Sequence, residues 1–401
     1  MRAVTTDAPR LSALVEHWQW TLDDWLLRVA GQPGLACAAG WTLDRWLDWA
    51  ALTGAAAAWH PFRLAQEARQ AALLAAARAV APPTAPTPCS VAPLAGRARL
   101  RRYAPAGASG GRRRRAPLLI VNSLINRHYI FDLHARRSLI ACLTAAGQEV
   151  FALDWGAPEA AARKWGLADA VGVVGRAAEA VCRATGARAT HALGYSMGGV
   201  LATTYAALEP ARLASLILLG TPADFARDAP LRAWLTTPTF NPQRLAETFG
   251  NLPGWLVSAA FRGVKPATCA TKPWLIGLDA AERDTHLATE VWLADAVALP
   301  GQFYADFVAA YYRNNALWEG KLQIGGRRAA LSAISCPALN VIGLLDQIVH
   351  PASAAALAER LPAERYAECR ARLGHLALAV GQGATVTVWP AVQAWLAQAS
   401  G

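Results

Sequence analysis

The stretch HALGYSMGGV, residues 191–200, holds the residues best suited to chemistry. It reads as the end of a strand, a cramped turn and the start of a helix, with Ser196 at the apex. Gly194-Tyr195-Ser196-Met197-Gly198 satisfies G-x-S-x-G, the pattern of a nucleophile held on a strained strand-to-helix turn. Glycines two positions either side are needed because side chains there would collide, and Gly199 gives the helix room to pack. The helix aims its first N–H groups at the serine. The alternative is a serine in an ordinary tight turn. The apolar strand before it and the helical GGVLATTYAAL after it favour the nucleophile.

A serine hydroxyl is a weak nucleophile and needs a base. On a turn of this type the chain order is serine, acid, histidine. His286, His350 and His375 follow the serine strand. His375, in ARLGHLALAV, comes after the last strand signal, with Gly374 before it to turn the backbone. His286 falls within a long helical stretch, and His350 directly precedes Pro351 at a helix start, so His375 is the expected base. Asp346, in GLLDQIVHP, is the first carboxylate after the strand ALNVIG. It is expected to hold the imidazole tautomer and stabilise the imidazolium. Asp154 also ends a strand but precedes the serine, and reads as structural or as part of the pocket floor. An oxyanion needs two backbone donors. One is expected from Met197, just after the serine, and one from the loop NSLINRHY, 122–129, with Ile125 or a neighbour as the donor.

These residues need a scaffold. PLLIVNSL (117–124), EVFALDW (149–155), THALGYS (190–196), LASLILLG (213–220) and ALNVIG (338–343) are strand-like runs. Helical patterns lie between them at 136–146, 168–185 and 198–208. Apolar strands alternating with helices imply an α/β fold whose mainly parallel sheet is covered on both faces. The aromatic-rich segment about 223–330 is too long for a plain loop and reads as a helical cap over the carboxyl edge of the sheet. Residues 1–80 look helical, with tryptophans and leucines at helical spacing. Their favoured role is packing on the main body; a surface for a partner or an apolar granule is the alternative. APPTAPTP, 81–88, reads as a linker. The division expected is a helical N-terminal region with its linker, 1–97, and a catalytic domain, 98–401.

The chain has 401 residues, 54% of them hydrophobic and 17% charged, so it can bury a large core. It has no run of about 18 apolar residues suited to a membrane span, and its first residues lack a secretory h-region. A cytoplasmic protein is expected. The cysteines, Cys37, Cys89, Cys142, Cys182, Cys269, Cys336 and Cys369, are scattered without a ligand spacing. They read as reduced thiols, with no metal site and no cofactor. The net charge of +11 is not organised into a stripe. A solvated surface is favoured over a nucleic-acid partner, and GGRRRRAP, 110–117, reads as an exposed loop.

Several stretches carry a resemblance: PLLIVNSLINRHYIFDL, RSLIACLTAAGQEVFALDWGAP, GYSMGG, LGTPADF, GNLPGWLV, KLQIGGRR, CPALNVIGLLDQIVHPASA and GHLALAVG. From about residue 98 onward the chain resembles a polyhydroxyalkanoate synthase catalytic subunit of the short, two-subunit type. The resemblance implies an α/β-hydrolase fold with a helical cap, and a nucleophile–Asp–His triad at Ser196, Asp346 and His375. It also implies an oxyanion position at Ile125, hydroxyacyl-CoA as acyl donor and a growing polyester as acceptor. A second synthase-type subunit or self-association is implied, as is a place at the polymer granule.

Four positions depart from the family pattern. Serine stands for the family's cysteine at 196, Met197 for glutamine, Gln347 for the histidine after the aspartate, and Leu373 for one glycine of a pair. A serine acyl-enzyme is an oxygen ester, whose onward transfer to a hydroxyl is close to thermoneutral, so the substitution tilts the expected outcome toward hydrolysis. Three readings follow: hydrolysis of hydroxyacyl thioesters or polyhydroxyalkanoate-type esters, synthase-like acyl transfer, and a non-catalytic relative that binds a granule or synthase.

Overall fold

The computed structural model describes residues 68, 71–72, 74–105, 115–238, 240–264 and 280–399. The tryptophan-rich stretch 1–60 and most of the GGRRRRAP run lie outside the described residues.

The apolar runs form strands buried on both faces, as a covered parallel sheet requires. The main sheet comprises β1 (Ser90–Ala95), β2 (Ala98–Tyr103), β3 (Leu118–Val121), β4 (Val150–Asp154), β5 (Thr190–Tyr195), β6 (Leu213–Leu219), β7 (Ala338–Gly343) and β8 (Tyr366–Ala371). Their spatial order is β1-β2-β4-β3-β5-β6-β7-β8. β1 and β2 pair antiparallel with each other, and β2 pairs antiparallel with β4. The remaining pairings are parallel.

The winding reverses at β3, with β4 on one side of it and β5 on the other. The connections leaving β3 and β5 therefore part, and a crevice opens outside their carboxyl ends. The loop 122–129 leaves β3, and Ser196 leaves β5.

Helices α1 (Leu139–Ala145), α2 (Leu167–Thr185) and α3 (Met197–Leu208) connect these strands. In α2, Leu167, Ala170, Val171, Val174, Ala177, Ala178 and Val181 are buried at three- and four-residue steps, the stripe of a helix lying on a sheet. α3 is buried almost all round. It packs under the crevice and carries the serine turn at its head.

Between β6 and β7 the chain leaves the sheet. It forms α4 (Ala229–Leu235), α5 (Pro242–Phe249), α6 (Gly254–Val264), α7 (Ala280–Ala294) and α8 (Gly301–Phe307), and α8 runs on into a π-helical turn, Val308–Arg313. Phe225 knits these pieces together, with its ring 4.8 Å from that of Tyr312 and 5.4 Å from that of Tyr311. The end of α7 is stapled to the loop after β3. Trp292 Nε1 donates to the Arg127 carbonyl at 2.9 Å, Val297 N–H to the Ile125 carbonyl at 3.2 Å, and the Tyr129 hydroxyl to Asp295 at 2.9 Å. Among the described residues no helix is long and apolar enough to cross a membrane.

The proline-rich stretch 81–88 is not a loose tether. Ala85 N–H donates to the Asp132 carbonyl at 2.9 Å. Thr87 gives its N–H and its hydroxyl to the Asp132 carboxylate, at 3.0 and 2.7 Å. Asp132 is wholly buried and needs those donors; Ser138 supplies another at 2.6 Å.

Asp154, at the end of β4, ties the antiparallel edge to the core. Its carboxylate meets Arg101 at 2.9 Å and His128 Nδ1 at 3.3 Å, the latter too poorly aligned for a hydrogen bond. Burial alone would raise its pKa, but His128, the Gly156 N–H and Arg101 outweigh burial and hold the carboxyl well below the usual range. A depressed folded pKa stabilises above the unfolded value and is lost as pH falls through the folded one. Asp154→Asn is therefore expected to remove about 2 kcal/mol at pH 7, the size linkage gives for a salt-bridged aspartate. The loss should shrink below about pH 4; denaturant melts at pH 7 and pH 3 measure it.

Candidate active site

Ser196 sits at φ 54° and ψ −126°, a left-handed conformation that costs a non-glycine residue about 1–3 kcal/mol. Its surroundings leave no other path. A Cβ on Gly198 would lie 2.2 Å from the Val121 carbonyl oxygen, and one on Gly194 would lie 2.4 Å from Gly199 Cα. The turn is locked by Ser196 N–H donating to the Leu219 carbonyl at 3.1 Å, while the Ser196 carbonyl accepts from Gly199 and Val200. Met197 opens α3, so its N–H has no carbonyl one turn back to bond. Across the crevice, the Ile125 carbonyl is held by Val297, and among the described residues nothing accepts from the Ile125 N–H.

Asp346 follows β7 and is buried. Its Oδ1 accepts from the N–H groups of Ile348 and Val349, both at 2.9 Å. That leaves Oδ2 for His375, whose Nδ1 lies 2.6 Å away. His375 opens the helix α10 (His375–Val380), after α9 (Pro351–Ala355). It is 4% exposed. The Tyr195 ring stacks on it with centroids 5.0 Å apart, and the Tyr195 hydroxyl donates to the His375 carbonyl at 3.2 Å. Gly220, at φ 50°, runs directly beneath: a Cβ there would come within 3.2 Å of both Asp346 Oδ2 and His375 Nδ1. With Nδ1 committed to the carboxylate, Nε2 is the nitrogen left to exchange a proton.

Ser196, Met197 and Ile125 all line one cavity of about 280 Å³. Its walls come from the loop after β3, from α3 and from α4, α5, α6 and α8, and no charged side chain lines it. The structure thus brings Asp346 and His375 into contact, and Ser196 to the cavity with Met197 and Ile125. Among the described residues no hydrogen bond joins Ser196 to His375. Such bonds are often long in unliganded enzymes and tighten on substrate binding.

The other sequence candidates go elsewhere. His286 lies on α7 at 4.0 Å from Glu290. The His350 ring caps the next helix by accepting from Ala352 N–H at 3.2 Å. Asp154 is structural and does not reach the cavity.

One carboxylate was not foreseen. Asp228, at the root of α4, is wholly buried. Its Oδ1 accepts from His350 N–H at 3.1 Å, next to the two N–H groups that Asp346 holds. Two carboxylates therefore pin three consecutive N–H groups of one turn. Burial, opposed by that N–H and reinforced by the charge of Asp346, pushes the Asp228 carboxyl up to about 7. In the sequence it looks like an ordinary residue before a helix, and only burial marks it.

Sheet order, serine turn and the Asp–His contact together define an α/β hydrolase. The α/β-hydrolase fold family matches residues 116–371. Among solved structures, a carboxyl esterase from Bacillus coagulans shares that fold with a TM-score of 0.52 at 15% identity, over 78% of this chain and 99% of that one. Within the fold the chain is 32% identical over 286 residues to the poly(3-hydroxyalkanoate) polymerase subunit PhaC of Allochromatium vinosum, covering 70% of this chain and 80% of that protein. It is 30% identical over 292 residues to the same subunit of Thiocystis violacea, covering 71% and 82%. The chain belongs to the poly(3-hydroxyalkanoate) polymerase family and is an enzyme of the hydrolase and acyltransferase type.

A folded-state pKa raised above the unfolded value means that an acidic group destabilises increasingly as pH rises between the two. Asp228→Asn keeps an acceptor for His350 N–H and removes the buried charge. Thermal melts are expected to show little change at pH 4 and a gain at pH 8, bounded by about 4 kcal/mol. Equal effects at both pH values would contradict the assignment.

Proposed function

We propose that the protein is a serine-dependent acyl-enzyme catalyst acting on hydroxyacyl-CoA thioesters or polyhydroxyalkanoate-type esters. The observation that carries this reading is Ser196 on its strained turn, opening onto a charge-free cavity beside the Asp346–His375 pair.

The Ser196 hydroxyl attacks the acyl carbonyl and passes its proton to His375 Nε2. The oxyanion that forms is held by the N–H groups of Met197 and Ile125, donors of a kind worth about 10²–10³ in rate each. The C–S bond breaks, and the CoA thiolate leaves with the proton from His375. The acyl group now sits on Ser196 as an oxygen ester. A second hydroxyl, from water or from a chain end, then attacks with His375 as base and frees the serine. Asp346 holds the imidazole tautomer and offsets the imidazolium charge throughout.

Water and a chain hydroxyl compete for the same intermediate. The oxygen ester favours water, because transfer to another hydroxyl brings little driving force. The second reading, synthase-like transfer, is favoured by the apolar lining of the cavity, which keeps water scarce, and by membership in the polymerase family. A second subunit, self-association and a granule surface are compatible partners for either reading.

Incubation with 3-hydroxybutyryl-CoA, with CoA release followed and acyl products identified by mass spectrometry, tests the proposal. Free hydroxy acid is the expected product, and oligomer would select the second reading. Ser196→Ala is expected to lower turnover at least about a thousandfold with the fold intact; turnover at the wild-type rate would remove Ser196 from the mechanism. Ser196→Cys, with a thiol of pKa near 8.5 and a thioester intermediate, is expected to raise the ratio of oligomer to free acid. An unchanged ratio would mean that the cavity, and not the nucleophile, selects the acceptor.

A further inference from the structure

The cavity in front of Ser196 is apolar except at a few points, and two of those are the phenols of Tyr304 and Tyr312. Neither hydroxyl has a hydrogen-bond partner among the described residues, whereas Tyr311, between them in sequence, pairs its hydroxyl with Thr204 Oγ1 at 2.8 Å. Neither oxygen is sealed from solvent, so each is free to donate to a group that enters the cavity.

Both phenols belong to one helical stretch that lines the cavity. Tyr304 lies on α8 and Tyr312 at the far end of the π-helical turn. Eight residues of α-helix would leave them about 80° apart around the axis. The wider π turn advances fewer degrees per residue and rotates Tyr312 back toward the face of Tyr304. Such turns cluster at functional sites. Burial raises both phenols, and the charges of Asp228 and then Tyr304 raise Tyr312 further, so each remains an O–H donor.

We propose that Tyr304 and Tyr312 form a subsite for an oxygen on the acyl chain, the hydroxyl or ester oxygen that distinguishes a hydroxyacyl or oligoester chain from a plain fatty acyl chain. This rests on the reading of the cavity as an acyl site. The cavity's 280 Å³ holds about nine groups of water size at roughly 30 Å³ each, enough for one hydroxybutyryl unit and part of a second. A methylene chain of the same length fits but leaves both phenols unpaired, and sites built to hydrogen-bond a substrate oxygen discriminate strongly against analogues that lack it.

The test uses 3-(3-hydroxybutyryloxy)butyryl-CoA and octanoyl-CoA, whose acyl chains have the same number of backbone atoms. Binding of each to the Ser196→Ala protein is measured by calorimetry, so the result does not depend on turnover. The oxygenated chain is expected to bind roughly a hundredfold tighter. Tyr304→Phe and Tyr312→Phe together are expected to bring that ratio below about ten, with each single substitution giving part of the fall. The ratio is the readout, since a general loosening of the cap would weaken both ligands alike. A ratio near one in the Ser196→Ala protein, or a ratio that the phenylalanines leave unchanged, overturns the subsite. CoA release from the same two substrates by the wild-type protein is followed in parallel. Its absence would count against the acyl-enzyme reading, while the binding ratio still decides the role of the tyrosines.

Discussion

The backbone kink at Ser196 is the constraint on which the rest of the site depends. A non-glycine residue at φ 54° is held against its own preference, so the surroundings must over-determine it. They do so with close approaches: Gly198 under the end of β3, Gly194 against Gly199, and Gly199 against Thr221. The kink then gives neighbouring side chains different tasks. Tyr195 turns inward, stacks on His375 and bonds its carbonyl. Ser196 turns outward to the cavity. A relaxed turn would lose the aim of Ser196, the stacking of Tyr195 on His375 and the start of α3 together, because one bend sets all three.

A second layer of positioning comes from the segment between β6 and β7. Its α7 end holds the loop after β3 through Trp292, Val297 and Asp295. Its first residues hold the turn after β7 through Asp228 and through the Ser353 carbonyl, which accepts from Ala223 and Asp224. The Ile125 loop and the Asp346 turn lie on opposite sides of Ser196, and one inserted segment fastens both. Movement of that segment would therefore reach the Ile125 loop and the Asp346 turn at once. Coupling of this kind needs no long pathway, since the contacts are direct.

Five strands were legible in the sequence because their apolar runs are buried on both faces and stand out from the helices between them. β1, β2 and β8 were not. ARLRRY carries its arginines to the ion pairs with Asp154 and Glu149, and YAECRA lies at the sheet edge with alternating exposure, so neither shows an apolar run. The meeting of Asp346 and His375 was legible from chain order, since acid and histidine follow the serine in the order that a turn of this type uses. Asp228 and the tyrosine pair were not legible. The first is marked only by burial. The second depends on a π turn: counted at 3.6 residues per turn, Tyr304 and Tyr312 fall on different faces. The stretch 81–88 carries a contact that its prolines do not announce, the bonding of Thr87 to a buried aspartate.

The serine at the head of α3 and the dryness of the cavity act in opposite directions on the proposed reaction. An acyl group on serine is an oxygen ester, so its transfer to another hydroxyl exchanges one oxygen ester for another, and the direction of net flow rests on which hydroxyl is present. In bulk water that is water. Inside walls that offer no charged group and few hydrogen-bonding ones, water is poorly solvated, while a chain that brings its own carbonyl and hydroxyl oxygens finds donors in the tyrosines. An oxygenated chain would thus be enriched at the intermediate relative to water, in proportion to what the subsite contributes. Whether a serine in this frame hydrolyses or elongates then becomes a question of local concentration. The nucleophile sets the driving force, and the cavity sets which acceptor can use it.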